Sequence, residues 1–391
     1  MRRPRVLLVV SADDASTSPS YGPRKDYHIL AEALAAATID RSDVQRSGVL
    51  RRLIKFVGIA PVQAWLAFRE RHHYDVIVTD GEHIGIPLAL LLKVTRSRIG
   101  HVTIGHRLTA AKKRLMFKWL KAHTHMDRVV VHSRRQYELA VDDLGIPPQR
   151  LALMPYQVDV SFWQPSEELT EQRQVCSAGL EFRDYPTLIR AVDALDVKVI
   201  IGAASYWSKR SNTARGEALP GNVEVSIFDY AELREVYARS AIVVVPLNEI
   251  DFQAGITTIL EAMAMRKPVI VTHTGGQTDV VEDRRSTTRG DQLRLRPRSM
   301  VRDLMESAGL EVEPTGLYVP PKDSEALRSA INYLLGEPEV RHELGAAGRR
   351  TIERLMTVEH FAGRIGRLVD EVYAGQRRSR ARRHALRVPQ S

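Results

Sequence analysis

Cysteine is nearly missing from this chain. Cys176 is the only one in 391 residues, so no internal disulfide can form, and one lone thiol fits a reducing cytosol. Histidine and cysteine form no cluster at metal-ligand spacing, and no Asp-x-Asp pair follows a strand-like run. Asp142-Asp143 lies in a helical pattern and Asp13-Asp14 in a turn-rich loop, and both read as structural. Long apolar runs are lacking too. The longest, Ile86 to Leu92, is far below a membrane span. Met1 to Arg5 is basic, but Val6 to Val10 is too short for a signal core. A cytoplasmic chain, soluble or peripheral on the inner face of a membrane, is expected. No helix-turn-helix, zinc finger or RNA-reading aromatic motif accompanies the basic charge, so nucleic acid is not an expected partner.

What is present is ordinary globular composition, 44% hydrophobic and 27% charged, at a length that suggests two or three domains. The net charge of +10 is clustered. Six arginines crowd residues 377 to 387, and seven lie between Arg284 and Arg302. A third group, Lys112, Lys113, Arg114, Lys118 and Lys121, falls in a helical stretch with Phe117 and Trp119. Such clusters suit anionic partners, and that helix is a candidate for an anionic membrane surface; a solvated face is the alternative.

The informative stretch runs from Ala241 to Asp283. Ile242 to Val245 reads as a buried strand closed by Pro246. Gly255 opens a helical pattern with Ile256, Leu260, Met263 and Ala264 on one side, and Val269 to Thr272 reads as the next strand. Strand, loop, helix and strand make the crossover unit of a parallel sheet, and ligands sit at the loop past the strand's carboxyl end. Backbone N–H groups of Gly255, Ile256, Thr257 and Thr258 are then placed for a phosphate, with the Glu261 carboxylate on the second turn. An anion plus a polyol fits that pair, as in a nucleotide diphosphate with its ribose.

Strands alternate with helices on both sides of this stretch. Arg5–Val10, Asp75–Thr79, Gly100–Gly105, Arg128–Val131 and Leu151–Met154 read as strands of a first domain. Val175–Gly179, Val197–Gly202, Val223–Ile227 and residues 315–320 read as strands of a second. Helices are read at Arg24–Ala37, Pro87–Val94 and Leu108–His123, with Asp80 to His83 as a loop. The expected fold is α/β, two doubly wound domains in tandem. The boundaries are 1–160, 161–357, a closing helix over 358–375 that returns to the first domain, and a basic, disordered tail over 376–391.

The stretch Glu261-Ala262-Met263-Ala264 followed by Pro268-Val269-Ile270 resembles the donor-binding core of retaining GT-B glycosyltransferases of family 4, the group 1 glycosyl transferases. The order of motifs extends the resemblance from about Arg128 to Val372, including Thr315-Gly316-Leu317-Tyr318-Val319-Pro320. The resemblance implies two Rossmann-like domains facing across a cleft. It implies a retaining, metal-independent transfer of a hexose from a nucleotide-sugar donor to a glycan, glycolipid or small-molecule acceptor, with no cofactor. A non-catalytic nucleotide-sugar-binding or scaffold protein on the same fold is the alternative.

Site residues follow from the same resemblance. Arg183 stands where the family has a lysine for the diphosphate, and pairing with Asp184 or Glu181 is its structural alternative. Glu261 would accept from the ribose hydroxyls, and pairing with Lys267 or Arg266 is the alternative. Gln253 replaces a family glutamate near the transferred sugar; a neutral amide still binds hydroxyls through donor and acceptor. His106 would line the acceptor side as the second catalytic candidate. Tyr21 and Gly22 stand at the family's phosphate loop, and Asp80 and Glu82 occupy another strand-end loop that could meet acceptor. His101, inside a strand, reads as core.

Overall fold

The structure, a computed structural model, describes residues 2–13, 22–46, 54–204, 219–284 and 299–385. The chain divides into two compact units, residues 1–18, 24–154 and 359–391 in one and residues 19–23 and 155–358 in the other.

In the first unit, β1 (Val6–Val9), β2 (Ala37–Ile39), β3 (Val76–Asp80), β4 (Gly100–Ile104), β5 (Arg128–Val131) and β6 (Leu151–Leu153) form one parallel sheet. Its order is β2-β1-β3-β4-β5-β6. The strands are apolar on both faces because helices cover both. Val6, Leu8, Val76, Val78, Val102 and Ile104 face one core, which takes Leu30 from α1 (Asp26–Leu34). Leu7, Val9 and Ile77 face another. They meet Ala64 and Ala67 of α3 (Ile59–Glu70) and Ile84, Leu88 and Leu92 of α4 (Glu82–Val94), after a short α2 (Arg41–Gln45). Helices α5 (Ala111–Lys118) and α6 (Arg134–Asp142) complete the layer over β5 and β6.

The second unit repeats the plan. Strands β7 (Gln174–Ala178), β8 (Lys198–Ala204), β9 (Val223–Ile227), β10 (Ile242–Val245), β11 (Val269–Thr272) and β12 (Gly316–Val319) run parallel in order β12-β11-β10-β7-β8-β9. Between them come α7 (Tyr185–Val192), α8 (Tyr230–Arg239), α9 (Ile256–Ala264) and α10 (Met300–Ser307), and after β12 follow α11 (Ser324–Gly336) and α12 (Pro338–Leu355). Side chains alternate with period two. Val243, Val245, Val269 and Val271 meet Leu260 and Met263 of α9 on one face. Ile242, Val244 and Ile270 meet Leu188 of α7 and Ile331 of α11 on the other. The strand order reverses between β7 and β10, and that switch point opens the crevice where doubly wound sheets hold ligands.

The last helix, α13 (Val358–Ala385), groups with the first unit from Glu359 on. Phe361, Ile365, Val369 and Val372 are buried on the face that carries Val6 and Leu8. Burying one such side chain stabilises by roughly 1.5–3 kcal/mol. The helix runs past Gly375, where disorder was the expectation; residues 386–391 lie outside the described residues. No helix among the described residues is long and apolar enough to cross a membrane.

Three further differences from the sequence reading have local causes. Helix α1 stops at Ala35, whose φ of 46° is left-handed, and the alanine-rich residues beyond it pair with β1 as the edge strand β2. Helix α4 begins at Glu82, so Pro87 lies inside it and Glu82 and His83 belong to its first turn. Proline there removes one hydrogen bond without preventing the turn before it. The arginine-rich excursion contains α10, capped by Ser299, whose hydroxyl accepts from Arg302 N at 2.9 Å. Arg302 also grips Glu282 through Nε at 3.1 Å and Nη2 at 2.6 Å, so this arginine serves the fold. Residues 285–298 lie outside the described residues.

Gly345 marks the tightest approach of α12. A Cβ there would stand 2.0 Å from the backbone oxygen of Arg266, just past α9. Gly345→Ala is expected to destabilise the protein by about 1–3 kcal/mol, as overpacking does. Gly336→Ala meets open space and serves as its control. Equal melting temperatures for the two variants would contradict the close approach.

Candidate active site

The second unit's site is built by two loops beside its switch point. The loop after β7 turns at Gly179 (φ 97°) and Phe182 (φ 59°). The loop after β10 runs to Gly255 (φ 75°), the N-cap of α9. Backbone bonds lace the two together. Asp184 N donates to Pro246 O and Asn248 N to Phe182 O, both at 3.0 Å, and Asn248 Nδ2 reaches Arg183 O at 3.2 Å.

Arg183 lies between these loops. Its side chain is buried, with 4% of the residue exposed. Nε donates to Ala178 O at 2.9 Å, Nη1 to Glu181 O at 3.0 Å and Nη2 to Thr258 Oγ1 at 3.1 Å. A Cβ on Gly179 would come 2.4 Å from Nη2, and one on Gly255 would come 3.1 Å from Nη1. The guanidinium therefore leaves no room for a side chain at Gly179, while Gly255 is hemmed in more closely by Val245 Cγ1, 2.7 Å from such a Cβ; both also have positive φ. Burial lowers the Arg183 pKa, against opposing contributions from Tyr185, Tyr237, Glu261 and Glu181. Among the described residues, no carboxylate pairs with Arg183 at contact distance. Asp184 instead caps α7, accepting from Thr187 N at 3.3 Å, and Glu181 offers its backbone oxygen. Arg183 lies beyond the carboxyl end of β7, as read from the sequence, and its side chain is buried. Three of the five N–H groups are committed to protein oxygens.

Helix α9 has no side-chain cap at Gly255. Thr258 is buried and Thr257 exposed, while Ile256 is buried in the apolar core. One turn on, the half-buried Glu261 accepts from the Tyr237 hydroxyl at Oε2, 3.1 Å away. Tyr237 is fully buried on α8, and its hydroxyl pKa is driven up by burial and then by the Glu261 charge. Lys267 pairs with Glu171 at 3.2 Å, so one of the two alternative partners for Glu261 is engaged elsewhere. Tyr237 was not singled out from the sequence. It lies 24 residues upstream on another helix, and an isolated tyrosine in a helical pattern reads as core.

Gln253 sits in the loop before Gly255. Its amide oxygen and nitrogen are both buried and have no hydrogen-bond partner among the described residues. Buried amides are almost always paired in folded proteins. Glu249, on the same loop, accepts from Gly275 N at 2.9 Å. Gly22 lies against the Tyr230 ring, where a Cβ would come 3.1 Å from Cδ2. Tyr21 lies outside the described residues.

In the first unit, Asp80, Glu82 and His106 come together beyond the carboxyl ends of β3 and β4. His106 Nε2 is 3.6 Å from Asp80 Oδ1. Burial pulls the imidazole pKa down, but the Asp80 hydrogen bond and the charges of Asp80, Glu82 and Asp26 outweigh it, and the pKa is raised. Glu82 is only 2% exposed and fully engaged. It accepts from His106 N at 2.8 Å and Arg107 N at 3.3 Å, and pairs with the Lys113 ammonium. Burial opposes its charge, yet Lys113 and then His106 bring its pKa down to about 2. Glu82 thus holds the His106 loop instead of facing an acceptor. Gln136 Nε2 fixes the same loop by donating to His106 O at 2.8 Å. His101 is core, as expected. Nδ1 faces the His125 carbonyl at 3.0 Å, so Nδ1 carries the proton and Nε2 accepts from the Thr103 hydroxyl at 3.0 Å.

The basic helix α5 differs from its sequence reading. Phe117 is buried in the core, and Arg114 and Lys118 both pair with Asp143. Trp119, 79% exposed, remains on the surface with Leu115 and Leu120.

Asp80→Asn is expected to lower the His106 pKa, read from ring-proton shifts in an NMR titration. Because the pairing raises the folded-state value, the stability it contributes is complete below the ordinary imidazole range. It is lost as pH rises through the raised value. An unmoved titration curve would remove Asp80 as the cause.

Comparison with known proteins agrees with both units. A family model described as Glycosyltransferase Family 4 matches residues 17–162. One described as Glycosyl transferases group 1 matches residues 181–337. No curated protein matches the sequence significantly. Among solved structures, sucrose-phosphate synthase from Thermosynechococcus elongatus is similar at a TM-score of 0.66 and 18% identity, covering 95% of this chain and 100% of that one. HepE from Anabaena, solved in complex with UDP, is similar at 0.63 and 14%, covering 94% and 100%. A glycosyltransferase from Rickettsia africae gives 0.62 and 13%, covering 95% and 99%. With two matched models spanning both units, and two parallel six-stranded sheets, the chain belongs to the group 1 glycosyltransferases of the GT-B fold.

Proposed function

We propose that this chain is a retaining, metal-independent hexosyltransferase that takes its sugar from a nucleotide-sugar donor and passes it to a glycan, glycolipid or small-molecule acceptor. The observation that carries the reading is the Gln253 amide, both ends buried and unpartnered among the described residues, on the loop that enters the α9 N-terminus. A sugar's hydroxyls supply the donor and acceptor that such an amide lacks. Gly255, Ile256, Thr257 and Thr258 offer backbone N–H groups to the diphosphate, with the Arg183 charge against Gly255 reinforcing the positive end of the helix. Glu261, oriented by Tyr237, accepts from the ribose hydroxyls. The UDP in the HepE structure supports a nucleoside diphosphate as the leaving group.

In the transfer, the bond between the sugar's anomeric carbon and the diphosphate oxygen breaks, and the acceptor hydroxyl oxygen bonds to that carbon on the same face. The departing diphosphate carries away the electron pair and takes the hydroxyl proton. Helix amides and Arg183 offset its charge, which is the electrostatic assistance such a step needs. His106, held by Asp80 and by the Glu82 clamp on its backbone, serves the acceptor side. Peripheral contact with an anionic membrane is part of the proposal. Trp119, Leu115 and Leu120 are exposed beside Lys112 and Lys121, which combines apolar and cationic contact.

A thermal-shift panel of UDP-, GDP- and ADP-sugars tests the reading and identifies the nucleotide, since a ligand that binds the folded state raises its melting temperature. With the nucleotide known, Glu261→Ala is expected to weaken its binding by roughly tenfold or more in calorimetry, the loss of charge-assisted hydrogen bonds. Gln253→Ala should reduce turnover while leaving affinity for the free nucleoside diphosphate intact. Wild-type affinity in Glu261→Ala would discard the ribose assignment. Donor binding with neither transfer nor hydrolysis would assign the chain a binding role instead of an enzymatic one.

A further inference from the structure

The strands of the first sheet all run in one direction, so their amino ends form an edge opposite the one that carries Asp80 and His106. Along β4 the two edges are roughly 13 Å apart, at about 3.3 Å per residue. That amino-end edge borders a cavity of about 1550 Å³. Residues just before β1, β4, β5 and β6 line it, together with the 370–378 stretch of α13. Gly100 allows the helix to lie there, since a Cβ at that position would come 2.9 Å from Val372 Cγ1. The volume exceeds the usual range for small-ligand pockets, so the site admits a ligand carrying several charged groups.

Charge is the unusual property of this cavity. Arg2, Arg3, Arg98, Arg377 and Arg378 converge on it, and among the described residues none of them pairs with a carboxylate. Arg128 and Arg150 also line it. The three carboxylates in the lining do not balance seven guanidinium groups, and two of them are already engaged. Asp127 accepts from His101 N at 3.0 Å, and Glu371 pairs with Arg128 at 3.5 Å; only Asp370 remains. His125, in the same lining, reports the resulting field. Its pKa is lowered by burial first and then by the charges of Lys93, Arg98 and Arg150, with Asp127 opposing. Like charges gathered in a concave surface raise its potential and attract counter-charge.

We propose that this cavity is a second binding site, for a multiply charged phosphate, held by Arg98, Arg377 and Arg378 with Arg2 and Arg3 closing over it. Guanidinium groups suit such a ligand because their planar forks contact phosphate oxygens bidentately. The site lies on the far edge of the sheet from His106 and does not depend on the donor reading given above. The phosphate has two sources, a free oligophosphate or a phosphate-bearing lipid headgroup, and the chemistry of recognition is common to both.

The test uses the full chain, wild type and the Arg98→Ala/Arg378→Ala double variant, with tripolyphosphate in calorimetry and, in co-sedimentation, vesicles containing phosphatidic acid, whose phosphomonoester carries more than one charge. Phosphatidylcholine vesicles are the control. Both arginines are exposed and unpaired, so the variant should keep the wild-type melting temperature. The expected result is roughly a tenfold or greater loss of affinity in the variant for whichever probe the wild type binds. Saturating wild type with tripolyphosphate should also raise the His125 pKa, read by NMR, because the ligand neutralises the cations that lower it. Binding of tripolyphosphate alone assigns a free ligand, and binding of vesicles alone assigns a headgroup. If neither probe binds, if the variant binds as well as wild type, or if His125 does not respond to bound tripolyphosphate, the proposal is overturned.

Discussion

The buried guanidinium of Arg183 is the constraint around which the second unit's ligand face is organised. A cation removed from water is costly unless its N–H groups and its charge are both answered. Here Ala178 O, Glu181 O and Thr258 Oγ1 answer the first need, and nearby Glu261 contributes to the second. Those partners come from the end of β7, the loop after it and the first turn of α9. Satisfying one side chain therefore sets the spacing of the two loops at the switch point. Gly179 is drawn into the same requirement, because a Cβ there would strike the guanidinium, and Gly255 lies close against it. The helix amides, the Glu261 carboxylate and the Gln253 loop inherit their places from this arrangement.

The first unit solves a similar problem with the opposite charge. Glu82 is a buried carboxylate that stays ionised because two amides and one ammonium meet it. The sheet behind it is stiffened by a polar chain through its interior, where the Thr79 hydroxyl donates to Thr103 Oγ1 at 3.1 Å and the Thr103 hydroxyl donates to His101. Gly85 of α4 closes over that chain, for a Cβ there would come 2.5 Å from Thr103. Burial brings the His101 pKa down to about 4, so the ring stays neutral through the physiological range. Acidification from about pH 6.5 towards 4 therefore removes stability, since the unfolded chain binds that proton first.

Most of the architecture was legible because a parallel sheet covered on both faces leaves uninterrupted apolar runs. Ile242–Val245 and Val269–Thr272 were read to the residue for that reason. Edge strand β2 was hidden because alanines before it continue a helical pattern, and only pairing with β1 makes it a strand. Within the site, Gly255 and Glu261 were legible from one crossover unit. What the sequence could not convey was how each group spends its hydrogen bonds. Arg183 and Glu82 were found as charged residues at strand ends. Their burial depends on Thr258 and Lys113, which become neighbours only when the helices are in place. Tyr237 was missed for the same reason.

The Glu82 clamp has a mechanical consequence. One oxygen of that carboxylate receives the His106 amide, and the other receives the Lys113 ammonium from α5. Lys112, the next residue along that helix, is exposed. The imidazole loop and a surface helix are thus tied through one carboxylate sealed from water, and the backbone of His106 shares its anchor with that helix.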